Sequence, residues 1–287
     1  MQFHSPTSFA EAAKLAADAE GITRFLAGGT DVLVQLRADA VTPDTLIDIK
    51  QISGTHDITR RADGGWDLGV AVTGAEMTEH PDLSTDWPGL VEGMDLIGST
   101  QIQGRATLTG NLCNGSPAAD GVPGMVTAGV TVTVTGPDGD RVMPVEDIPA
   151  GPGRTTLAKG EVISAVHIPP RGAYGGDAYL RFIPRTEMDI AVVGCSVSLR
   201  RDGDVITEAR VCLGAVAPTV VLVEDAAKAL IGSALDEAAL DALAAAAEAA
   251  CNPINDKRGT IEFRTEVAGV LAKRAAKIAY DRAGGAK

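Results

Sequence analysis

Two glycine-bearing segments carry the residue types from which a phosphate cradle is made. The first is Ala27-Gly28-Gly29-Thr30-Asp31. Glycine lets main-chain amides approach an anion closely, and a following helix N-terminus adds positive potential. The plain alternative is a tight turn in which Thr30 caps the helix, and on local sequence alone that alternative stands slightly ahead. The segment lacks the GxGxxG spacing, so no dinucleotide fold of the Rossmann type follows. The second runs Arg105-Ala106-Thr107-Leu108-Thr109-Gly110-Asn111-Leu112 and on through Asn114-Gly115-Ser116-Pro117-Ala118-Ala119-Asp120. Its hydroxyls, amides and glycine N–H groups suit a neutral cradle for a pyrophosphate. Its alternative is a surface loop, although a structureless stretch of this length is uncommon without a function.

Other chemistries find less support. His4, His56, His80 and His167 are widely separated and give no metal-ligand spacing. His167 alternates within a strand and reads as structural. Cys113, Cys195, Cys212 and Cys251 form no CxxC pair, so neither a zinc site nor iron–sulfur ligation is expected on this chain. Ser116-Pro117 is not a nucleophile elbow. Lys273, Arg274 and Lys277 sit late in a helix, where they solvate one face and offset its dipole. No catalytic side chain and no metal ligand is assigned.

The surrounding elements follow from periodicity. Ser8 and Glu11 have capping-box spacing at the start of an amphipathic helix through Ala16, with Gly21 as its stop. Thr23 to Ala27 reads as a strand, Asp31 to Arg37 as a helix and Leu46 to Ile49 as a second strand. Trp66 to Val72, Thr131 to Thr135 and Glu161 to Ile168 read as further strands, and Pro88 to Ile97 as a short helix. Gly98 to Gly121 reads as one long polar connection rich in Gly, Asn, Ser and Thr. Beyond the Pro- and Gly-rich stretch 169–176, strands are expected near 179–182, 190–199 and 209–215, with a turn at 201–204. Helices follow around 237–251 and 265–281. This pattern is α+β, an antiparallel sheet plus helices in the C-terminal part.

Composition sets outer limits. Asp and Glu outnumber Lys and Arg by 38 to 25, a net charge of −13 that argues against nucleic acid and anionic membrane surfaces as ligands. Charged residues at 22% and hydrophobic residues at 45% are the balance of a globular chain, and 287 residues suggest about two domains. Aromatics are only 3%, so aliphatic residues must build the core. The opening Met1 to Pro6 has no basic-then-apolar pattern, and no apolar run reaches membrane-spanning length. Scattered cysteines suit a reducing compartment. A cytoplasmic protein without membrane insertion is expected.

In this order, spaced by about 80 residues, the two segments resemble the FAD-binding medium subunit of the molybdenum hydroxylases, the family of the carbon monoxide and xanthine dehydrogenases. Further resemblance lies in Gly151-Pro152-Gly153-Arg154-Thr155, Glu161-Val162-Ile163, Asp189-Ile190-Ala191-Val192-Val193, Leu213 to Thr219 and Asp256-Lys257-Arg258-Gly259-Thr260. The match spans nearly the whole chain. It implies a two-lobed FAD-binding fold of the p-cresol methylhydroxylase type over 1–172, with lobes of about 1–57 and 58–172, then an α+β C-terminal domain over 173–287.

The resemblance also implies a non-covalent FAD whose diphosphate sits between the two segments. It assigns Ala27, Gly28, Gly29, Thr30 and Asp31 to one side, flanked by Leu26 and Val32, and Thr107, Gly110 and Asn111 to the other. Asp120 matches an acidic cofactor contact, and Ile97 and Ile163 match apolar lining positions. Arg181 falls where a lysine near the flavin ring is usual, and Tyr179 where a residue covers the ring in some members. The implied role is an electron-transfer subunit. A large subunit carries the molybdenum cofactor, a small subunit carries 2Fe–2S clusters, and NAD+ or another acceptor takes the electrons, within a dimer of heterotrimers. The family pattern Thr-Ile-Gly-Gly-Asn is here Thr107-Leu108-Thr109-Gly110-Asn111. If its first glycine position needs φ > 0, Thr109 is strained there; if not, Thr109 adds a hydroxyl near the phosphates. Two alternatives are a stand-alone flavin oxidoreductase of the same fold, marked by turnover without partners, and a flavin-free assembly or scaffold protein, for which Thr109 is the sole support.

Overall fold

In the computed structural model, which describes residues 1–284, Ser8 Oγ accepts the Glu11 N–H at 3.2 Å and starts α1 (Phe9–Asp18). The capping box closes only in part, because Glu11 Oε2 takes the N–H of Thr7 instead of that of Ser8. Strands β1 (Gln2–His4), β2 (Thr23–Leu26) and β3 (Thr45–Asp48) form a parallel sheet in the order β1-β3-β2. The glycine segment leaves the end of β2 and enters α2 (Val32–Arg37). Asp31 rather than Thr30 occupies the cap position of α2, and it makes no side-chain cap bond.

The second lobe is built on an antiparallel sheet in the order β4-β5-β10-β6-β7. These strands are β4 (Ile58–Arg60), β5 (Trp66–Leu68), β6 (Thr131–Gly136), β7 (Gly139–Pro144) and β10 (Val162–Ile168), with a small ladder of β8 (Pro149–Gly151) and β9 (Arg154–Thr155) between β7 and β10 in sequence. The expected strand at 66–72 ends at Leu68: the Gly69 N–H bonds to Asp57 O, and the chain turns inward, burying Val70, Ala71 and Val72. Six helices pack on this lobe: α3 (Gly74–Glu79), α4 (Pro81–Asp86), α5 (Pro88–Asp95), α6 (Thr100–Gln103), α7 (Leu108–Cys113) and α8 (Gly121–Ala128).

The stretch 98–121 is therefore not one long loop. Thr107 Oγ1 accepts the Gly110 N–H at 3.0 Å, and Leu108 and Leu112, four apart on one face, are both buried. A cap and an i, i+4 apolar pair are enough to form α7 against the core. One apolar core runs through both lobes, joining Ala12 and Ile47 to Trp66, Met94, Leu108 and Met125. Both glycine-bearing segments are thus mounted on the same packed interior.

The C-terminal sheet is antiparallel, β11 (Gly175–Phe182), β12 (Val193–Asp202), β13 (Val205–Gly214) and β14 (Val221–Leu222) in chain order. Helices α9 (Glu224–Leu230), α10 (Glu237–Ala249) and α11 (Ile261–Gly284) complete it, with α11 packed on β11 and β12. Their buried alanines and leucines build a second core. The C-terminal part is tied to the second lobe by polar contacts, one buried and one partly so: the Leu90 N–H to Asp177 Oδ2 at 3.1 Å and the Tyr179 N–H to Glu92 Oε2 at 3.0 Å. Positions 285–287, the end of the expected C-terminal domain, lie outside the described residues. Among the described residues no helix is long and apolar enough to cross a membrane.

Candidate functional site

The two glycine-bearing segments face each other across a cleft of about 690 Å³. One wall is Ala27 to Val32, carried between β2 and α2; the other is Ala106, Thr107 and Thr109 to Asn111, carried by α7 and its cap. Apolar side chains close the interior, among them Phe25, Ile49, Ile97 and Ile163, and the segment 157–162 adds a further side. The volume lies within the range usual for small-molecule and cofactor sites, about 300–1,000 Å³.

The walls meet at Gly28. A Cβ there would lie 1.9 Å from Arg105 O, inside main chain that cannot rotate away. Gly29 follows with φ +81°, a left-handed conformation that side chains resist. Three polar bonds cross: Arg105 Nε donates to Gly28 O at 3.2 Å, Asn114 Nδ2 donates to Asp31 Oδ1 at 3.2 Å, and Gln35 Nε2 donates to Asn114 Oδ1 at 3.5 Å. Partial burial pushes the Asp31 carboxyl above its ordinary range. Thr109 has no positive φ; it lies in the first turn of α7 among the residues that line the cleft, so its backbone carries no left-handed strain.

Of the residues assigned from sequence, Ala27, Gly28, Gly29, Thr30, Asp31, Val32, Ile97, Thr107, Gly110, Asn111 and Ile163 line this cleft. Leu26 packs beneath the turn, where a Cβ on Gly29 would meet its Cδ1 at 2.9 Å. Asp120, Tyr179 and Arg181 do not line the cleft and instead form a buried cluster: Tyr179 Oη donates to Asp120 Oδ1 and Arg181 Nη1 to Asp120 Oδ2, each at 2.7 Å. Burial raises the Asp120 carboxyl against the opposing pull of Arg181. Burial beside that acid also holds the Tyr179 phenol well above its ordinary value. Asn111 connects cluster to cleft, its Oδ1 accepting the N–H of Gly121, next to Asp120.

Arg264 is a structural centre that sequence reading missed. Its buried guanidinium donates to Val192 O at 2.7 Å, to Ala215 O at 3.5 Å and to Asp256 Oδ1 at 2.7 Å, while the Ala215 N–H bonds to Pro117 O at 2.7 Å. Three motif segments of the C-terminal part thereby converge on one side chain and connect to the stretch that leads into Asp120. His167 is held between Asp67 and Thr133, with both ring nitrogens at 2.7 Å from their partners. Among the described residues no group of three or more potential metal ligands is assembled.

The chemistry of the cleft fits FAD. Close main-chain approach at Gly28, neutral hydroxyl and amide groups on both walls, and apolar surface deeper in provide for a diphosphate and for flat ring systems. Comparison with known proteins agrees. Residues 1–171 match the model of the FAD binding domain in molybdopterin dehydrogenase, and residues 178–279 that of the CO dehydrogenase flavoprotein C-terminal domain. The chain is 34% identical over 286 residues to the carbon monoxide dehydrogenase medium chain of Afipia carboxidovorans, covering 98% of this chain and 97% of that one. It is 30% identical over 284 residues to a putative xanthine dehydrogenase FAD-binding subunit of Escherichia coli, covering 99% and 97%. The solved carbon monoxide dehydrogenase of Hydrogenophaga pseudoflava that lacks the Mo-pyranopterin moiety superposes with a TM-score of 0.94 at 30% identity, over 98% of both chains. The chain belongs to the family of FAD-binding medium subunits of the molybdenum hydroxylases, oxidoreductases that include the carbon monoxide and xanthine dehydrogenases.

Proposed function

We propose that this chain is the flavin-carrying electron-transfer subunit of a heteromeric molybdenum hydroxylase. In that complex it stands between 2Fe–2S clusters on a small partner chain and a terminal acceptor such as NAD+, and a large partner chain holds the molybdenum cofactor. The observation that carries this reading is the closed backbone contact at Gly28, which makes two segments some 80 residues apart into a single cradle. When bound, FAD supplies the redox chemistry, and the protein supplies its binding, orientation and electrostatic setting. Gly28, Gly29 and Thr30 on one wall, with Thr107, Gly110 and Asn111 on the other, would hold the diphosphate; Ile97 and Ile163 would exclude water from the interior. Asp120, Tyr179 and Arg181 support that wall from behind through Asn111. No side chain is assigned a proton-transfer role. The proposed domain division is FAD-binding through residue 172 and C-terminal beyond; it is supported by the second core lying wholly after that boundary and by the buried residues of the first lying before it except Cys212.

Two measurements test the reading. The purified chain, incubated with FAD and desalted, is expected to retain flavin absorbance in stoichiometric amount. Expressed in its native host, it is expected to co-purify with a large molybdenum chain and a small iron–sulfur chain. Protein that stays colourless overturns the flavin assignment; substrate turnover by the flavin-loaded chain alone overturns the subunit assignment.

A further inference from the structure

We infer that Arg105, which no cofactor assignment includes, is a positioning residue that fixes the glycine turn for the cofactor diphosphate. The inference rests on the flavin reading above. Its basis is a reciprocal contact: Arg105 O lies against the Gly28 Cα, and Arg105 Nε returns around the turn to bond to Gly28 O at 3.2 Å. One residue thus holds Gly28 from its Cα side and its carbonyl side.

The mounting of Arg105 is rigid on the second-lobe side. Its own N–H bonds to Ile102 O at 2.9 Å; Ala106 O accepts the Gly74 N–H at 2.9 Å; and Thr107 pairs with Thr73 in an isolated bridge. The glycine turn on the first-lobe side has no such ladder. Residues 27–31 lie outside any strand or helix, and a turn containing two glycines has a large conformational freedom to lose. A carbonyl committed to a guanidinium fixes the peptide plane between Gly28 and Gly29, and so the direction of the Gly29 N–H. Pre-setting that plane removes an ordering cost that would otherwise fall on cofactor binding. Asn114, bonded to Asp31 Oδ1, holds the far end of the same turn, so Arg105 bears on its near end.

The alternative for an exposed arginine beside a diphosphate is direct attraction to the phosphates. The two roles differ in what they require. A positioning bond needs a donor that reaches Gly28 O and not a charge; attraction needs the charge and is weakened by salt. A purely structural role would appear as lost stability of the flavin-free chain.

The experiment compares wild type, Arg105→Ala and Arg105→Gln as full chains, by FAD titration and FAD dissociation rate at low and high salt, with the thermal midpoint of the flavin-free protein measured alongside. For Arg105→Ala we expect FAD to dissociate faster by about three- to tenfold, with a salt dependence equal to wild type and an unchanged flavin-free midpoint. Tenfold corresponds to about 1.4 kcal/mol. Arg105→Gln, which keeps a donor without the charge, is expected to recover most of the loss. Wild-type-like binding by Arg105→Ala overturns the inference. So does equal loss in both variants with a shallower salt dependence, or a loss matched by a lower flavin-free midpoint. Wild type that takes up no FAD defeats the flavin reading itself, a result separate from any difference among variants.

Discussion

Arg181 and Asp120 form an ion pair at 2.7 Å with side chains only 6% and 8% exposed. The pair joins the C-terminal sheet to the residue that leads into α8, and Tyr179 completes it from two positions earlier on the same strand. A charge held this far from water needs its partner. Removing one member leaves the other uncompensated, whereas removing both leaves only a packing defect.

Arg181→Leu is accordingly expected to lose about 3–5 kcal/mol of stability, and Asp120→Asn a comparable or smaller amount. The double variant should lose clearly less than the sum. Tyr179→Phe, which leaves Asp120 Oδ1 without its phenol donor, should cost about 1–3 kcal/mol. Urea unfolding of the four proteins measures all of these. Additivity of the two charge deletions would show that the pair contributes nothing as a pair.

Gly28 and Gly29 should fail in different ways. The obstacle to a side chain at Gly28 is the Arg105 carbonyl, so Gly28→Ala must push the walls apart. Walls set farther apart hold the diphosphate less well, and FAD affinity should fall by about tenfold or more, which is about 1.4 kcal/mol. Gly29→Ala meets the strain of φ +81°, expected as about 1–3 kcal/mol of lost stability measurable without flavin. Flavin titration and denaturation of each variant separate the two effects, and unchanged affinity in Gly28→Ala refutes the account of the wall contact.

Asp177 gives the junction between the two parts a pH dependence. Burial pushes its carboxyl up to about 6, against the attraction of Arg171 at 3.3 Å and the bond from the Leu90 N–H. In the unfolded chain the same group titrates near ~3.9. The folded form therefore binds the proton more tightly, and the stability this supplies is full below about pH 4 and lost as pH rises to about 6. The two-unit gap sets the scale at about 3 kcal/mol. Asp177→Asn removes the titration, so its stability relative to wild type should improve between those pH values and level off above them. A difference that stays constant from pH 4 to 7, by denaturant unfolding, rules out Asp177 as the titrating group.

What the sequence makes legible here is local. The glycine turn after β2, the Ser8 cap and the turn at 201–204 each depend on residues within a few positions, and their chemistry is visible without the fold. The helix α7 carried a readable signal in Thr107 with Leu108 and Leu112, but one masked by the polar, glycine-rich residues around it. The Asp120–Tyr179–Arg181 cluster and the bonds of Val192 and Ala215 to Arg264 join residues 49 to 72 positions apart, with Asp256, 8 positions before Arg264, drawn into the same centre. No periodicity encodes such pairings, because they are fixed by how β11, β12, β13 and α11 stack. The contact of Gly28 with Arg105 belongs to the same class: each segment was visible alone, and the distance between them was not.

Thr109 is the position where local reading and structure can be set against each other by experiment. Read by its place in the family pattern, it stands where glycine is usual, and a positive φ there would make Thr109→Gly a relief. The backbone has no such conformation; Thr109 continues the first turn of α7 and is 7% exposed. Glycine would then add chain freedom in a helix and remove a buried methyl group, at about 1 kcal/mol together. Thr109 is also one of the residues that line the cleft. Thr109→Gly should therefore lower the urea midpoint and leave FAD affinity equal or weaker. A variant that is more stable, or that binds FAD more tightly, would mean that threonine obstructs this wall, and the α7 geometry described here would have to be abandoned.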